Sequence, residues 1–151
     1  MDQTIAEKIL SSHSGRNLSA GDFAVAKVDF GFGQDGTSSI VIDRLKELNV
    51  RSPRLKFCMV IDHSAPSPNE GVSRVHQKMR DASKDYGAAL YDIGCGVCHQ
   101  IIPESGKILP GDLVLGADSH TCTYGALGVL STGVGSTDLA VTLACGKNWF
   151  K

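Results

Sequence analysis

Short apolar runs alternate along the chain with segments of helical periodicity, and this alternation limits the folds that the chain can adopt. The predicted strands occupy residues 23–30, 56–61, 88–92 and 113–117. Between them, apolar residues recur at the three- or four-residue spacing that places them on one face of a helix. Strands that alternate with helices are typical of α/β folds with a largely parallel sheet. We therefore expect a single α/β domain over residues 1–151, a length that suits one domain.

Several predicted helices have recognisable ends. Thr4 and Glu7 have the spacing of a capping box, which predicts a helix from residue 4 to about residue 12. Asn69 can cap a later helix, and Gly87 lies where that helix should end. Residues 31–36, with three glycines, are predicted to form a turn after the first strand.

Charge and hydropathy exclude several classes of function. The 15 basic and 16 acidic residues give a net charge of -1, so no broad basic field is available for nucleic acid. No apolar run approaches the roughly 20 residues that span a bilayer, and the first residues lack an apolar signal core. Five cysteines, an odd number, indicate free thiols and not a disulfide framework. We therefore expect a cytoplasmic protein without a nucleic-acid or membrane partner.

Polar clusters follow the first two predicted strands, and ligands of parallel sheets collect beyond the carboxyl ends of strands. Gln34 offers a donor and an acceptor to a hydroxy acid, although Asp35 and Thr37 beside it are also ordinary turn and cap residues. Asp62 precedes His63, and a carboxylate beside an imidazole can raise its pKa and make it a proton donor near neutral pH. The alternative for this second pair is a loop-capping Asp and a surface His.

A third cluster, His99 and Gln100, is predicted to lie in a glycine-rich loop that also contains Cys95 and Cys98. A single Cys-x-x-Cys is a weak indication of a metal, because a structural zinc site needs four ligands. A redox dithiol favours the start of a helix, which this loop does not clearly supply. A metal or redox role for the two cysteines therefore stays open as an alternative.

The fourth cluster, Asp118-Ser119-His120, places an acid, a hydroxyl and an imidazole directly after an apolar strand. It is not a hydrolase triad, because the members of such triads converge from separate parts of a fold. In extended backbone Asp118 and His120 would share one face and could line a pocket. Of the two remaining histidines, His13 is expected to act at a helix C-terminus and His76 to be solvated.

In this order the clusters resemble the aconitase superfamily, and most closely the large subunits of its 3-isopropylmalate dehydratase and homoaconitase branch. The resemblance runs from residue 4 to residue 151 and covers roughly the first third of such a subunit. The matching motifs are TIAEKIL (4–10), QDGT (34–37), DH (62–63), G-x-x-HQ (96–100), GADSHT (116–121) and G-x-GSTD (133–138). The resemblance implies a three-layer aconitase-type domain, with a largely parallel sheet flanked by helices.

The resemblance also implies a reaction and a cofactor. Enzymes of the superfamily are similar in using a [4Fe-4S] cluster whose open iron is a Lewis acid. They isomerise a 2-hydroxy polycarboxylate by dehydration and rehydration. The implied substrate is 3-isopropylmalate, in leucine biosynthesis; a homoaconitase-type isomerase of lysine biosynthesis is the alternative.

Roles for individual residues follow from the matched motifs. Asp62 with His63 would protonate the departing hydroxyl, and Asp118 with His99 would form a second carboxylate–imidazole pair. The remaining roles are three: Gln34 would hydrogen-bond the substrate, Ser119 would contact it, and His120 would hydrogen-bond the iron-bound water or hydroxyl.

The departures from the family pattern are equally informative. In the family the cluster is held by a lone cysteine and a Cys-x-x-Cys beyond the region that this chain covers, and Cys95 and Cys98 do not match those positions. The cluster ligands, the catalytic base and the carboxylate-binding arginines would come from the rest of the large subunit and from a small subunit. We therefore expect the chain alone to be inactive and without a cluster. A non-catalytic assembly module, or a small zinc or redox protein using Cys95, Cys98 and Cys122, are the alternatives.

Overall fold

A five-stranded parallel sheet lies at the centre of the computed structural model, which describes residues 2–151. Across the sheet the strands run in the order Ala89–Tyr91 (β4), Phe57–Val60 (β3), Phe30–Gln34 (β2), Leu113–Gly116 (β5) and Leu130–Gly133 (β6). Every neighbouring pair is parallel, so all five carboxyl ends lie on one edge. The chain adds strands to one side of β2 and then to the other. The gap between β2 and β5 is therefore the topological switch point, where ligands of α/β folds bind.

Helices cover both faces of this sheet. They are Ile5–Ser14 (α1), Asp35–Glu47 (α2), Glu70–Tyr86 (α3), Cys98–Glu104 (α4) and Ser136–Cys145 (α5), together with a 3₁₀ helix, Ser119–Leu127. Apolar side chains of α2, α3 and α5 pack on one face, and those of α4 and the 3₁₀ helix pack on the other. The prediction of an α/β fold with a parallel sheet flanked by helices is confirmed. Among residues 2–151, no helix has both the length and the apolar character needed to cross a bilayer.

The predicted helix ends are confirmed by their hydrogen bonds. The Thr4 hydroxyl accepts from the backbone N–H of Glu7, and the Glu7 carboxylate accepts from the backbone N–H of Thr4, which completes the capping box. The Asn69 side chain accepts from the N–H of Val72 at 3.0 Å. Gly87 ends α3 with a φ of 65°, a left-handed conformation that favours glycine.

The glycine-rich segment after residue 30 forms the strand β2, and the prediction of a turn there is wrong. Its five residues, Phe30–Gln34, are all buried. A Cβ on Gly31 would lie 3.1 Å from Leu143 Cδ2, and one on Gly33 would lie 2.7 Å from Ser38 Oγ. The glycines therefore let α5 and α2 approach the central strand closely, and they do not bend the chain.

A second, two-stranded sheet is formed by Ala24–Lys27 (β1) and Lys147–Phe150 (β7), which pair antiparallel. The prediction of one strand over residues 23–30 is therefore wrong: β1 ends at Lys27, and Phe30 already begins β2 of the other sheet. β6 and β7 have no counterpart among the strands predicted from the sequence, because each is only four residues long and rich in glycine or polar residues.

Candidate active site

All seven predicted site residues lie at the carboxyl edge of the sheet. They end or follow β2, β3 or β5, or lie in the first turn of the helix after β4. Gln34 ends β2, Asp62 and His63 follow β3, and His99 lies in the first turn of α4. Asp118 follows β5, and Ser119 and His120 begin the 3₁₀ helix. The strand order places β2 between β3 and β5, so the two carboxylate–imidazole pairs approach each other across the end of the central strand.

The Asp62–His63 pair has the geometry that its sequence suggests. Asp62 Oδ1 lies 2.7 Å from His63 Nδ1, and Asp62 Oδ2 accepts from the backbone N–H of Cys98 at 2.6 Å. The carboxylate is almost fully buried, whereas the His63 side chain is 40 % exposed. Because Nδ1 faces a carboxylate, a neutral His63 would carry its proton there and leave Nε2 unprotonated.

Asp118 connects the two pairs, which the sequence did not predict. Its Oδ2 lies 3.4 Å from His63 Nε2, and its Oδ1 lies 3.2 Å from His99 Nε2. Oδ1 also accepts from the backbone N–H of His120 at 2.7 Å. The result is a continuous series of alternating carboxylates and imidazoles: Asp62, His63, Asp118, His99. We refer to these four residues as the acid–imidazole series.

The pKa of His63 is raised above its ordinary value of 6.5. Partial burial alone would lower this pKa, because it penalises the charged imidazolium. The hydrogen bond and charge of Asp62, and then the charges of Asp118 and Asp35, raise it by more. His63 therefore keeps its second proton to a higher pH than a free imidazole does, as a proton donor near neutral pH requires.

His99 and Gln100 lie in α4, so the prediction that they belong to a loop is wrong. Gly96, with a φ of 126°, allows the sharp approach of the chain to the helix. The His99 ring packs edge-on against Phe32, with 6.2 Å between ring centroids, and lies 6.0 Å from the ring of buried Tyr124. This packing fixes the ring so that Nε2 faces Asp118. The opposite nitrogen, Nδ1, is buried without a hydrogen-bond partner among residues 2–151.

Ser119 and His120 form the exposed part of the site. The predicted extended backbone at His120 is wrong, because Asp118 is the N-cap of a 3₁₀ helix and its carboxylate accepts from the His120 N–H. The His120 side chain is 76 % exposed, with Nδ1 3.3 Å from Ser119 Oγ and 3.7 Å from Asp118 Oδ1. Neither side chain is buried against the fold, so both remain accessible to a ligand.

Gln34 has a structural task that limits its availability. It is the N-cap of α2, and its side-chain oxygen accepts from the backbone N–H of Gly36. The side chain is buried, and only its Nε2 remains without a hydrogen bond to residues 2–151. Nε2 can therefore donate to a ligand, and Oε1 keeps a second lone pair as an acceptor.

No disulfide joins any of the five cysteines, all of which lie within residues 2–151. Cys58 and Cys98 are buried, Cys95, Cys122 and Cys145 are exposed, and all are free. Burial raises the pKa of Cys58 to about 12, and the pKa of Cys98 is also raised, chiefly by burial. Within residues 2–151, the groups of three potential ligand atoms are Asp62-His63-Cys98 and His99-Asp118-His120, and neither contains two cysteines. Cys98 begins α4 and so has the helix start that a redox dithiol favours, but burial raises the pKa of its thiol. No candidate ligand group among residues 2–151 joins Cys95, Cys98 and Cys122 in a zinc site.

Two further residues at this edge were missed in the sequence, Asp35 and His76. His76 is 1 % exposed, so the prediction that it is solvated is wrong. Its Nε2 lies 3.6 Å from Asp35 Oδ2. Burial alone would raise the pKa of Asp35, but hydrogen bonds from backbone N–H groups lower it below its usual 3.8. The signal that could have found Asp35 is its position directly after Gln34, a predicted site residue, at the start of a helix. No signal in the sequence marks His76.

Comparisons with known proteins agree with these motifs. A sequence model of the aconitase family (aconitate hydratase) matches residues 7–151. The chain is 45% identical to 3-isopropylmalate dehydratase large subunit 1 of Thermotoga maritima and 48% identical to the 3-isopropylmalate dehydratase large subunit of Elusimicrobium minutum. It is 46% identical to 3-isopropylmalate dehydratase large subunit 1 of Pyrococcus abyssi. Each match covers 100% of this chain but only 36 to 37% of the relative. The chain thus spans little more than a third of the length of the curated relatives it matches.

Proposed function

The chain belongs to the aconitase family, and on that premise we propose that it supplies the proton donor and several substrate-facing groups of a hydro-lyase active site. The proposed reaction isomerises a 2-hydroxy polycarboxylate by removal and readdition of water. The proposed substrate is 3-isopropylmalate, because the relatives above carry the name of that dehydratase. The observation that carries the proposal is the acid–imidazole series at the switch point of the sheet.

His63 is proposed as the group that protonates the departing hydroxyl. Its Nδ1 is held tightly by Asp62 at 2.7 Å, whereas Nε2 is 3.4 Å from Asp118. The loosely held Nε2 is therefore the atom from which a proton can pass to a substrate oxygen. Loss of the hydroxyl as water leaves His63 with its proton on Nδ1, beside the carboxylate that stabilises that tautomer.

Asp118 and His99 are proposed as the second pair, and His120 as a ligand-facing donor. The buried Asp118 carboxylate accepts from the N–H of His120 and lies beside two imidazoles, so it holds three elements of the site in register. Ser119 and His120 are exposed next to it and can reach a bound hydroxy acid. Gln34, through Nε2, is proposed as a further substrate contact.

Enzymes of this family use a [4Fe-4S] cluster, and the cysteines of this chain do not fit such a group. The two buried thiols are held in the neutral form by burial, and a cluster requires several convergent thiolates. The groups of three side chains among residues 2–151 that could hold a single metal ion contain no two cysteines. We therefore propose that the cluster is held by other residues of the complete enzyme, and no step above is routed through it.

The proposed partners are the remainder of a large subunit and a small subunit, since the relatives are named large subunits and are nearly three times as long. The relatives extend well beyond the segment that this chain matches, which covers 36% of their length. The catalytic base is therefore proposed to lie outside this chain, and the isolated chain is proposed to be inactive.

The experiment that tests this function is a chimera. Residues 1–151 replace the matching segment of the Thermotoga maritima large subunit, which is expressed with its own small subunit. We expect turnover of 3-isopropylmalate, with homocitrate and citrate as competing substrates and the unaltered enzyme as control. Preference for homocitrate would favour the homoaconitase-type alternative. A folded chimera with full iron and sulfide content that turns over none of the three would favour a non-catalytic assembly module.

A further inference from the structure

We propose that Asp35, supported by the buried His76, is a positioning residue that sets the geometry of the Asp62–His63 pair. Asp35 is the first residue of α2, and its side chain crosses to the loop after β3, 27 to 29 residues further along the chain. The inference rests on the proposed proton-donor role of His63. It assigns a task to a carboxylate that touches neither the substrate side of the site nor an exposed surface.

The carboxylate of Asp35 accepts three consecutive backbone N–H groups. Oδ1 accepts from Asp62 at 3.1 Å and from His63 at 2.9 Å, and Oδ2 accepts from Ser64 at 2.8 Å. An acid at the start of a helix ordinarily accepts from its own first turn. Here the side chain instead fixes the loop in which Asp62 and His63 turn toward each other. Adjacent residues in a strand point to opposite faces, so their side chains meet only because the backbone is held in this turn.

The hydrogen bonds to charged Asp35 are of the stronger kind, because donors bind a carboxylate more tightly than a neutral oxygen. The Asp35 side chain is almost fully buried, so its charge acts through little solvent on the neighbouring imidazole. The groups that face His63 are Asp62, Asp118 and Asp35, and all three favour its protonated form. Asp35 therefore acts on His63 in two ways, through the turn and through its charge.

His76 supports Asp35 from the opposite side. It lies on α3, is 1 % exposed, and directs Nε2 toward Asp35 Oδ2 at 3.6 Å. This nitrogen has no hydrogen-bond partner among residues 2–151. A buried polar atom without a partner is costly, and its position beside a buried carboxylate gives it one obvious acceptor. A small closure of the gap makes His76 the fourth donor to Asp35 and ties α3 to the site.

The test uses the 151-residue chain and needs no substrate. Histidine side chains are labelled with ¹⁵N, and NMR follows the Nδ1 and Nε2 shifts of His63 against pH. In the unaltered chain the His63 midpoint should lie above 6.5. In Asp35→Asn it should fall toward 6.5, and the Nδ1 signal should lose the shift of a nitrogen that donates to a carboxylate. Asp43→Asn is the matched control, because Asp43 is an exposed acid on the same helix that pairs with Lys78. A folded Asp35→Asn chain with an unchanged His63 midpoint and Nδ1 shift would overturn the proposal.

Two further measurements decide the matter if Asp35→Asn does not fold. In the unaltered chain, scalar couplings across hydrogen bonds should join the Asp35 carboxyl carbon to the amide nitrogens of Asp62, His63 and Ser64. Absence of all three couplings would overturn the proposal. His76→Gln retains a donor near the position of Nε2, and His76→Leu removes it. His63 should keep its midpoint in the first variant and lose part of its shift in the second; equal behaviour of the two would also contradict the role of His76.

These readouts separate the positioning role from the proposed function. If His63 responds as expected but the chimera is inactive, the hydro-lyase function fails and the structural role of Asp35 stands. If the chimera is active and the His63 midpoint and Nδ1 shift are unchanged in Asp35→Asn, only the positioning role of Asp35 is wrong.

Discussion

The Asp118 carboxylate lies between two imidazoles, with Oδ2 3.4 Å from His63 Nε2 and Oδ1 3.2 Å from His99 Nε2. One buried carboxylate therefore lies within 3.4 Å of two imidazoles of the site. This contact spans the end of β2, because Asp62 and His63 follow β3 while Asp118 follows β5.

Replacement of this acid should be visible at His63. Asp118→Asn removes one of the charges that raise the His63 pKa, so the midpoint of His63 should fall toward 6.5. Histidine-detected NMR of the 151-residue chain measures this directly. Asp81→Asn, which alters an exposed acid on α3, should leave the midpoint unchanged. A His63 midpoint that stays fixed in Asp118→Asn would contradict the electrostatic account of the site.

The raised pKa of His63 also makes stability depend on pH. A histidine with a raised pKa in the folded state stabilises that state fully below its unfolded value of 6.5, and this stabilisation is lost as the pH rises through the folded pKa. The free energy of unfolding of the unaltered chain, minus that of His63→Gln, should therefore decrease as the pH rises above 6.5. Urea unfolding at a series of pH values gives this difference. A difference that is flat or rises over that range would contradict the sign.

Because of the close packing around Asp118, Gly133 should not tolerate a larger side chain. A Cβ on Gly133 would lie 2.5 Å from the backbone oxygen of Asp118, so Gly133→Ala must displace the strand end that carries this acid. We expect a loss of ~1–3 kcal/mol in the free energy of unfolding, as for other overpacking substitutions. Gly125→Ala is the control, since a Cβ there meets no atom within 4 Å. Equal thermal stability of the two variants would show that the strand end gives way without cost.

Substitution of His120 should lower activity without lowering stability. Its side chain is 76 % exposed, so His120→Ala should change the free energy of unfolding by no more than about 0.5 kcal/mol. In the chimera, the same substitution should depress kcat far more than it raises KM, because the proposed role concerns the reacting groups. Steady-state kinetics and chemical unfolding test the two halves of this prediction. Equal effects on kcat and KM would assign His120 to uniform substrate binding instead.

The burial of two cysteines leads us to expect that the isolated chain holds no iron–sulfur cluster. Because Cys58 and Cys98 are buried and burial raises the pKa of both thiols, the purified chain should contain neither iron nor sulfide after reconstitution. The active chimera should contain both. Tight zinc binding that is lost in Cys95→Ser would contradict this account and would support the zinc alternative.

Short-range patterns in the sequence predicted the helix ends and part of the candidate site. The capping box at Thr4 and Glu7, the cap at Asn69 and the Asp62–His63 pair each depend on residues close together in sequence. The contact of Asp118 with His63 could not be predicted from one sequence, because it depends on β2 lying between β3 and β5. The parallel sheet itself followed from the alternation of strands and helices, but its strand order did not.

The wrong predictions have physical causes that recur in buried sites. Glycines at 31 and 33 were expected to bend the chain, whereas they admit close packing of helices on a buried strand. His76 lies beside the apolar face of α3, where a polar residue is ordinarily solvated. It is buried instead, because a buried acid on another helix, Asp35, lies beside it. Neither partner of such a long-range pair marks the other in sequence.

The central claim is that His63, held by Asp62, donates the proton to the departing hydroxyl. The most direct test is the kcat of the chimera for dehydration of 3-isopropylmalate, with and without His63→Ala. In the His63→Ala chimera, kcat should fall ~10²–10⁴-fold, which is the usual contribution of general acid–base catalysis. The KM of that chimera should change far less. A His63→Ala chimera that is folded, retains its iron and sulfide, and turns over within a few-fold of the unsubstituted chimera would contradict it.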